Sequence, residues 1–188
     1  MKKLLLSMTA LLMIGLSANA QPWSFGPKAG IAFSTVNGFE GARVRTGLVA
    51  GAFAERMVKN WFAVQTELLF VMQGHDVKNP DAPKTKMRLN YMAMPVITKY
   101  YVLGGLNFQL GGQFQYLVSG KEVYDGVKTN LKDNINKYNV GFITGLAYDL
   151  DCGLVVEGRY CIGLTKVYNI PDSSITSGSL QVALGWKF

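Results

Sequence analysis

After its first twenty residues the chain shows no convincing helical period. It alternates apolar and small or polar residues with period two instead, in eight segments: 25–34, 46–56, 61–73, 88–102, 107–118, 138–149, 154–164 and 179–188. The connections between these segments alternate long and short without exception. Residues 35–45 are long and "MVKN" is short; 74–87 is long and "LGGL" is short; 119–137 is long, the turn at "LDCG" is short, and 165–178 is long. A barrel with long loops at one rim and tight turns at the other produces this order. A β-sandwich with Greek-key crossovers has no reason to keep it. The predicted fold is all-β: an eight-stranded antiparallel up-and-down transmembrane β-barrel.

The two faces of each segment decide what surrounds that barrel. Phe25, Pro27, Ala29, Ile31 and Phe33 oppose Gly26, Lys28, Gly30, Ala32 and Ser34. Phe108, Leu110, Phe114, Tyr116 and Val118 oppose Asn107, Gln109, Gly111, Gln113 and Gln115. In 61–73, Val64, Thr66, Leu68, Phe70 and Met72 oppose Gln65, Glu67 and Gln73, with Leu69 and Val71 breaking the pattern. A soluble barrel puts bulky apolar side chains inside. Here the other face is made of Gly, Ala, Ser, Gln and a few charges, which suits a narrow polar lumen, so the bulky face is expected to meet lipid. Aromatic residues gather near segment ends as interfacial girdles do: Phe25, Trp61, Phe62, Tyr100, Tyr101, Phe108, Tyr148, Trp186 and Phe188 at the short-turn rim, and Phe33, Phe70, Tyr91, Tyr116, Tyr138 and Tyr168 toward the long loops. The chain stops on "SLQVALGWKF", with Leu180, Val182, Leu184, Trp186 and Phe188 on one parity. A closed sheet has no free edge, so the last strand is expected to pair with the first.

Residues 1–20 read as a secretory signal peptide, and residues 21–188 as the barrel domain. Lys2 and Lys3 precede the apolar run "LLLSMTALLMIGL", and "ANA" supplies a small-x-small cleavage site. Export permits disulfides, but Cys152 and Cys161 lie nine residues apart near one strand, roughly 30 Å if extended, far beyond disulfide reach. Both are expected as free thiols. One histidine and no zinc spacing argue against a metal site. The net charge of +7 falls to +5 without Lys2 and Lys3. No basic stripe points to nucleic acid, and anionic lipid or lipopolysaccharide phosphate is the expected partner of the excess charge.

Several segments resemble a known group: "FGPKAGIAFSTVNG" (25–38), "GLVAGAFAE" (47–55), "QTELLFVMQG" (65–74), "LNYMAMPVITKYYV" (89–102), "VEGRYCIGLTKV" (156–167) and "LQVALGWKF" (180–188). Together they resemble the outer-membrane β-barrel family of Bacteroidota that includes the PorT-type proteins. The resemblance implies an eight-stranded barrel in the outer membrane of a Gram-negative bacterium. It also implies that a terminal strand carrying Leu184, Trp186 and Phe188 is read by the barrel assembly machinery. Some relatives are associated with protein secretion or gliding.

No catalytic constellation emerges. His75 sits beside Asp76 in "MQGHDVKNP", at the expected start of a long loop, but adjacent residues do not orient one another as a triad does, and no serine has an elbow motif. The glycines of "GLNFQLGG" open no helix and form no phosphate loop. No cofactor is expected. The residues of interest are Lys28, Glu67, Lys99, Glu157, Arg159 and Lys187, which share the lumen parity. An eight-stranded barrel has room only for its own side chains, so they are expected to form an ion-pair plug rather than a path. Counting from the short-turn rim pairs Glu67 with Arg159, and Lys99 with Glu157. The functional expectation is a non-enzymatic outer-membrane barrel whose long loops bind an extracellular or envelope partner; the alternative is an accessory of protein secretion or transport.

Overall fold

The computed structural model describes residues 23–37, 42–77, 85–124, 127–130, 136–165 and 176–188. The expected signal peptide, Tyr168 and the middles of several long connections lie outside these. The strands are β1 (Trp23–Asn37), β2 (Ala42–Lys59), β3 (Phe62–Val77), β4 (Thr85–Leu103), β5 (Leu106–Tyr124), β6 (Val127–Asn130), β7 (Tyr138–Asp149), β8 (Leu154–Gly163) and β9 (Thr176–Trp186). Consecutive strands pair antiparallel, except that β7 pairs with β5 and not with β6, and β1 pairs with β9. The sheet therefore closes on eight strands. No described helix is long and apolar enough to cross a membrane, and the strands do the crossing.

The register fixes the geometry of closure. From Phe25 the partners run Ala54, Thr66, Val96, Gly112, Phe142, Ile162, Gly178 and back to β1 at Thr35. One circuit thus climbs from position 25 to position 35. That is about 33 Å along the strands, against about 38 Å across eight inter-strand spacings, which sets a tilt near 40°.

Tight turns close the short rim at Asn60–Trp61, Gly104–Gly105 and Leu150–Gly153. Gly104 and Gly153 adopt φ +53° and +92°, where a side chain would strain the turn. At the other rim most strands run further than alternation suggested. β3 reaches Val77, so His75 belongs to a paired strand and not to a loop; its side chain lies outside the described residues. β5 continues to Tyr124, past its last partner on β7 at Tyr116. The edge this leaves is covered by β6, a four-residue strand inside the expected 119–137 loop, which pairs with Lys121–Tyr124. Backbone pairing outlasts the apolar pattern because it needs no apolar side chain once the strand has left the lipid.

The outward face carries the bulky residues. Leu68, Val96, Phe108, Leu110, Phe142, Leu146, Val182 and Leu184 are among the exposed apolar side chains. Trp61 packs with Phe62 and Tyr100 at the short-turn rim, and Phe114 and Tyr116 meet Tyr138 higher up. Two expected girdle members are corrected: Tyr91 is buried in the lumen, and Tyr101 turns inward to hydrogen-bond carboxylates. Both sit on the odd, lumen-facing parity of β4, which the aromatic count alone ignores.

The lumen is also more apolar than expected. Val49, Leu69, Val71, Ala32 and Ala93 form one buried cluster, and Met87, Leu89, Tyr91 and Leu117 form another. Leu69 and Val71, which broke the pattern of β3, are inward residues of the stretch between Glu67 and Gln73, where that strand is apolar on both faces. Gln113, Gln115, Asn139, Ser179 and Gln181 are buried on the remaining strands.

Candidate functional site

Arg159 of β8 is fully buried and crosses the lumen. It can do so because its partner in the register is Gly145, where an added Cβ would stand 2.9 Å from Arg159 Cγ and 2.6 Å from the Gly158 carbonyl. Its Nη1 donates to Glu67 Oε2 at 2.7 Å and its Nη2 to Glu67 Oε1 at 2.7 Å, a bidentate fork. Nη2 also donates to Glu157 at 2.7 Å, and Nε to Gln109 Oε1 at 2.6 Å. Lys28 Nζ donates to Glu67 at 2.6 Å and to Glu157 at 2.9 Å, and Gln65 Nε2 completes the shell of Glu67. Two cations and two carboxylates cancel within this cluster.

A second cluster lies nearer the short turns. Lys99 Nζ is 2.7 Å from Glu55 Oε2 and 3.4 Å from Asp149 Oδ1. Lys187 Nζ is 2.6 Å from each of Glu55 Oε1 and Asp149 Oδ2. Tyr101 donates its hydroxyl to Asp149 at 2.7 Å, and Asn107 donates to Asp149 at 3.2 Å. Again two cations meet two carboxylates. Stranding any one of these groups is expensive, whereas the matched sets roughly break even against desolvation.

The structure thus brings Lys28, Glu67, Glu157 and Arg159 together and places Lys99 and Lys187 in a separate group. The expected Lys99–Glu157 pair does not form: Glu157 binds Lys28 and Arg159, while Lys99 binds Glu55 and Asp149. The reason is the stagger of closure. Equal counts from each local turn are not equal heights when the wall climbs around its circumference. Glu55, Tyr101, Asn107 and Asp149 are the members that sequence reading missed. Asp149 ends a strand and resembled a turn residue, and Glu55 sits beside Arg56. Parity was the available signal, since Glu55 follows Phe53 and Asp149 follows Ala147 on the inward rows.

The arrangement offers little to catalysis. Each carboxylate is engaged by at least two donors, and no group of metal-ligating side chains occurs among the described residues. Cys161 is buried beside Ile97 and Ile143, Cys152 is exposed in the β7–β8 turn, and both are free thiols.

The family model described as "Outer membrane protein beta-barrel domain" matches residues 19–169. Similar solved structures include Ail, the attachment invasion locus protein of Yersinia pestis (TM-score 0.55, 14% identity, covering 88% of this chain and 98% of that one). Neisserial surface protein A aligns with a TM-score of 0.56 and 18% identity over 87% of this chain and 97% of its own. The outer membrane protein OprG of Pseudomonas aeruginosa aligns at 0.51 and 12% identity over 89% and 97%. None of the curated proteins matches the chain. At these identities the structural neighbours establish the fold.

Proposed function

The chain belongs to the family of outer membrane protein β-barrel domains and resides in the outer membrane of a Gram-negative cell, and from that premise we propose that it is a non-enzymatic envelope barrel whose lumen is plugged by its own side chains and whose work is done at its long connections. The observation that carries this reading is the pair of self-neutral clusters across the lumen, the upper one enclosed and the lower one part-exposed at the short-turn rim. A conducting path needs sites weak enough to leave. Carboxylates each held by several cations and amides are poor transit sites and poor general bases alike. What remains for recognition is the long-loop rim, where ten of the seventeen Lys+Arg and seven of the twelve Asp+Glu outside residues 1–20 fall in the four connections. Expected partners are lipopolysaccharide and an extracellular or envelope protein. The strand segments quoted above resemble those of the PorT-type barrels of Bacteroidota, and that resemblance supports reading the chain as one of them. Leu184, Trp186 and Phe188 project outward in a row and suit docking by the assembly machinery during insertion.

Planar-bilayer recording tests the plug. Purified barrel is expected to give no steady unitary conductance, and a stable ohmic step would overturn the reading. Co-purification from native envelopes, with and without deletion of residues 78–84, then reports whether that connection carries the partner.

A further inference from the structure

The lower end of β2 carries a bulge. Met57 faces Ala63 and Lys59 faces Phe62, so Val58 is the extra residue. The bulge sets Lys59 opposite Phe62, on the outward row where Phe62 packs with Trp61 and Tyr100. Arg56 lies on the same row, between Trp23 of β1 and Val64 of β3. Each cation rests on a tryptophan. Arg56 Cζ is 5.7 Å from the centre of the Trp23 ring, and Lys59 Nζ is 5.5 Å from that of Trp61. Trp61 and Tyr100 mark the membrane interface at this rim, so both cations stand at headgroup level. A guanidinium stacked on its face still donates hydrogen bonds in its plane. Among the described residues, no carboxylate lies on the outward face of β1, β2 or β3 at this rim. Glu55 turns into the lumen, where Lys99 and Lys187 hold it, and Asp151 is three strands away on the β7–β8 turn.

Above Arg56 the outward row of β2 continues as Ala54, Ala52 and Ala50, opposite Phe25, Pro27 and Ala29 of β1. The wall is low here, between Leu68 of β3 and Leu184 of β9, both exposed. On the β9 side the hollow deepens into a groove of about 250 Å³ lined by Pro27, Ala29, Leu154, Leu184 and Trp186. Pro27 has no N–H to give, and the regular β1–β9 ladder begins one residue above it, at Lys28. Eight residues of β2 separate Arg56 from Leu48, where the row becomes bulky again, about 20 Å of height in a tilted strand. One leaflet occupies about half of the 25 Å apolar band, so the hollow is long enough for an acyl chain.

We propose that Arg56, Lys59 and the groove above them bind an anionic phospholipid of the inner leaflet, its phosphate held by the two cations and one acyl chain laid along the groove. The charge and the apolar hollow lie end to end, as the two ends of an amphiphile do, and a phosphate gains charge-assisted hydrogen bonds from both cations. The site goes beyond the reading above and rests only on the barrel's place in the membrane with its short turns inward, which labelling of Cys152 tests separately.

The test is native mass spectrometry of the detergent-purified protein with phosphatidylglycerol and with phosphatidylcholine. Arg56→Gln combined with Lys59→Gln should retain about tenfold less phosphatidylglycerol. Ala29→Leu, which fills the groove and leaves every charge in place, should retain about threefold less. Arg88→Gln, an exposed cation near the other rim, should retain it as the wild type does. Four results would overturn the site: undiminished retention by the double variant or by Ala29→Leu, equal retention of both lipids by the wild type, an equal loss in Arg88→Gln, or displacement by glycerol 3-phosphate at comparable concentration, which indicates a free-anion site. A folded, heat-modifiable gel shift of each variant separates these outcomes from a failure of the barrel itself.

Discussion

Arg159 is the side chain around which the upper lumen closes, and its removal leaves Glu67 and Glu157 short of a partner in low dielectric. Arg159→Met is expected to lower stability by about 3–5 kcal/mol, as breaking a buried pair does. Glu67→Gln should cost a similar amount, and the double variant less than the sum by about 0.5–3 kcal/mol. Lys99→Met with Glu55→Gln should behave in the same way, whereas Lys99→Met with Glu157→Gln should be additive because the two lie in different clusters. Detergent-based unfolding of each cycle checks this, and coupling between Lys99 and Glu157 would contradict the observed partners. Gly145→Ala should cost about 1–3 kcal/mol, since its Cβ meets both the Gly158 carbonyl and the Arg159 stem.

Among the strands, β4 carries an anomaly in its wall. The β3–β4 register runs from Phe62 and Tyr100 to Thr66 and Val96, then resumes at Leu69 and Ala93. Pro95 stands in the gap opposite Glu67, and a proline has no N–H to give the ladder. An unpaired carbonyl inside a membrane is costly, so Pro95→Ala should restore a bond and raise stability by about 1 kcal/mol. Slower amide exchange at its neighbours on β3 and β4 would accompany it; unchanged or lower stability would show that packing of the proline ring outweighs the bond. The β7–β8 turn offers a separate test of orientation through its native thiol. Cys152 is exposed on a short turn and Cys161 is buried. A membrane-impermeant maleimide should label Cys152 only after the outer membrane is permeabilised, and should reach Cys161 only on unfolding. Labelling of Cys152 on intact cells would invert the proposed topology.

For the whole molecule, closure of β1 on β9 leaves no edge among the eight strands of the wall. Such a barrel resists detergent until heated, so the unboiled protein should migrate differently from the boiled one on a gel. Identical migration would be incompatible with a closed wall. Closure also links the two clusters to the wall that holds them. Lys28 lies on β1, Glu67 on β3 and Arg159 on β8, so the upper cluster ties strands far apart in the chain across the lumen. Loss of these ties should lower the temperature at which the gel shift occurs.

The sequence by itself determined the strand order, the lipid-facing side and the inward parity of Lys28, Glu67, Glu157 and Arg159, because period two and turn spacing are local properties that survive without knowing the partner strand. Counting from the turns also paired Glu67 with Arg159, which do meet, but it did not determine the other partners across the lumen. That depends on the climb from Phe25 to Thr35 in one circuit, a property of the closed sheet that no single strand contains. The same holds for β6, which exists because β5 outruns β7. Glu55 and Asp149 were visible as charges, but their pairing with Lys99 and Lys187 was decided by the tertiary structure, where the wall curves four strands onto one level of the lumen.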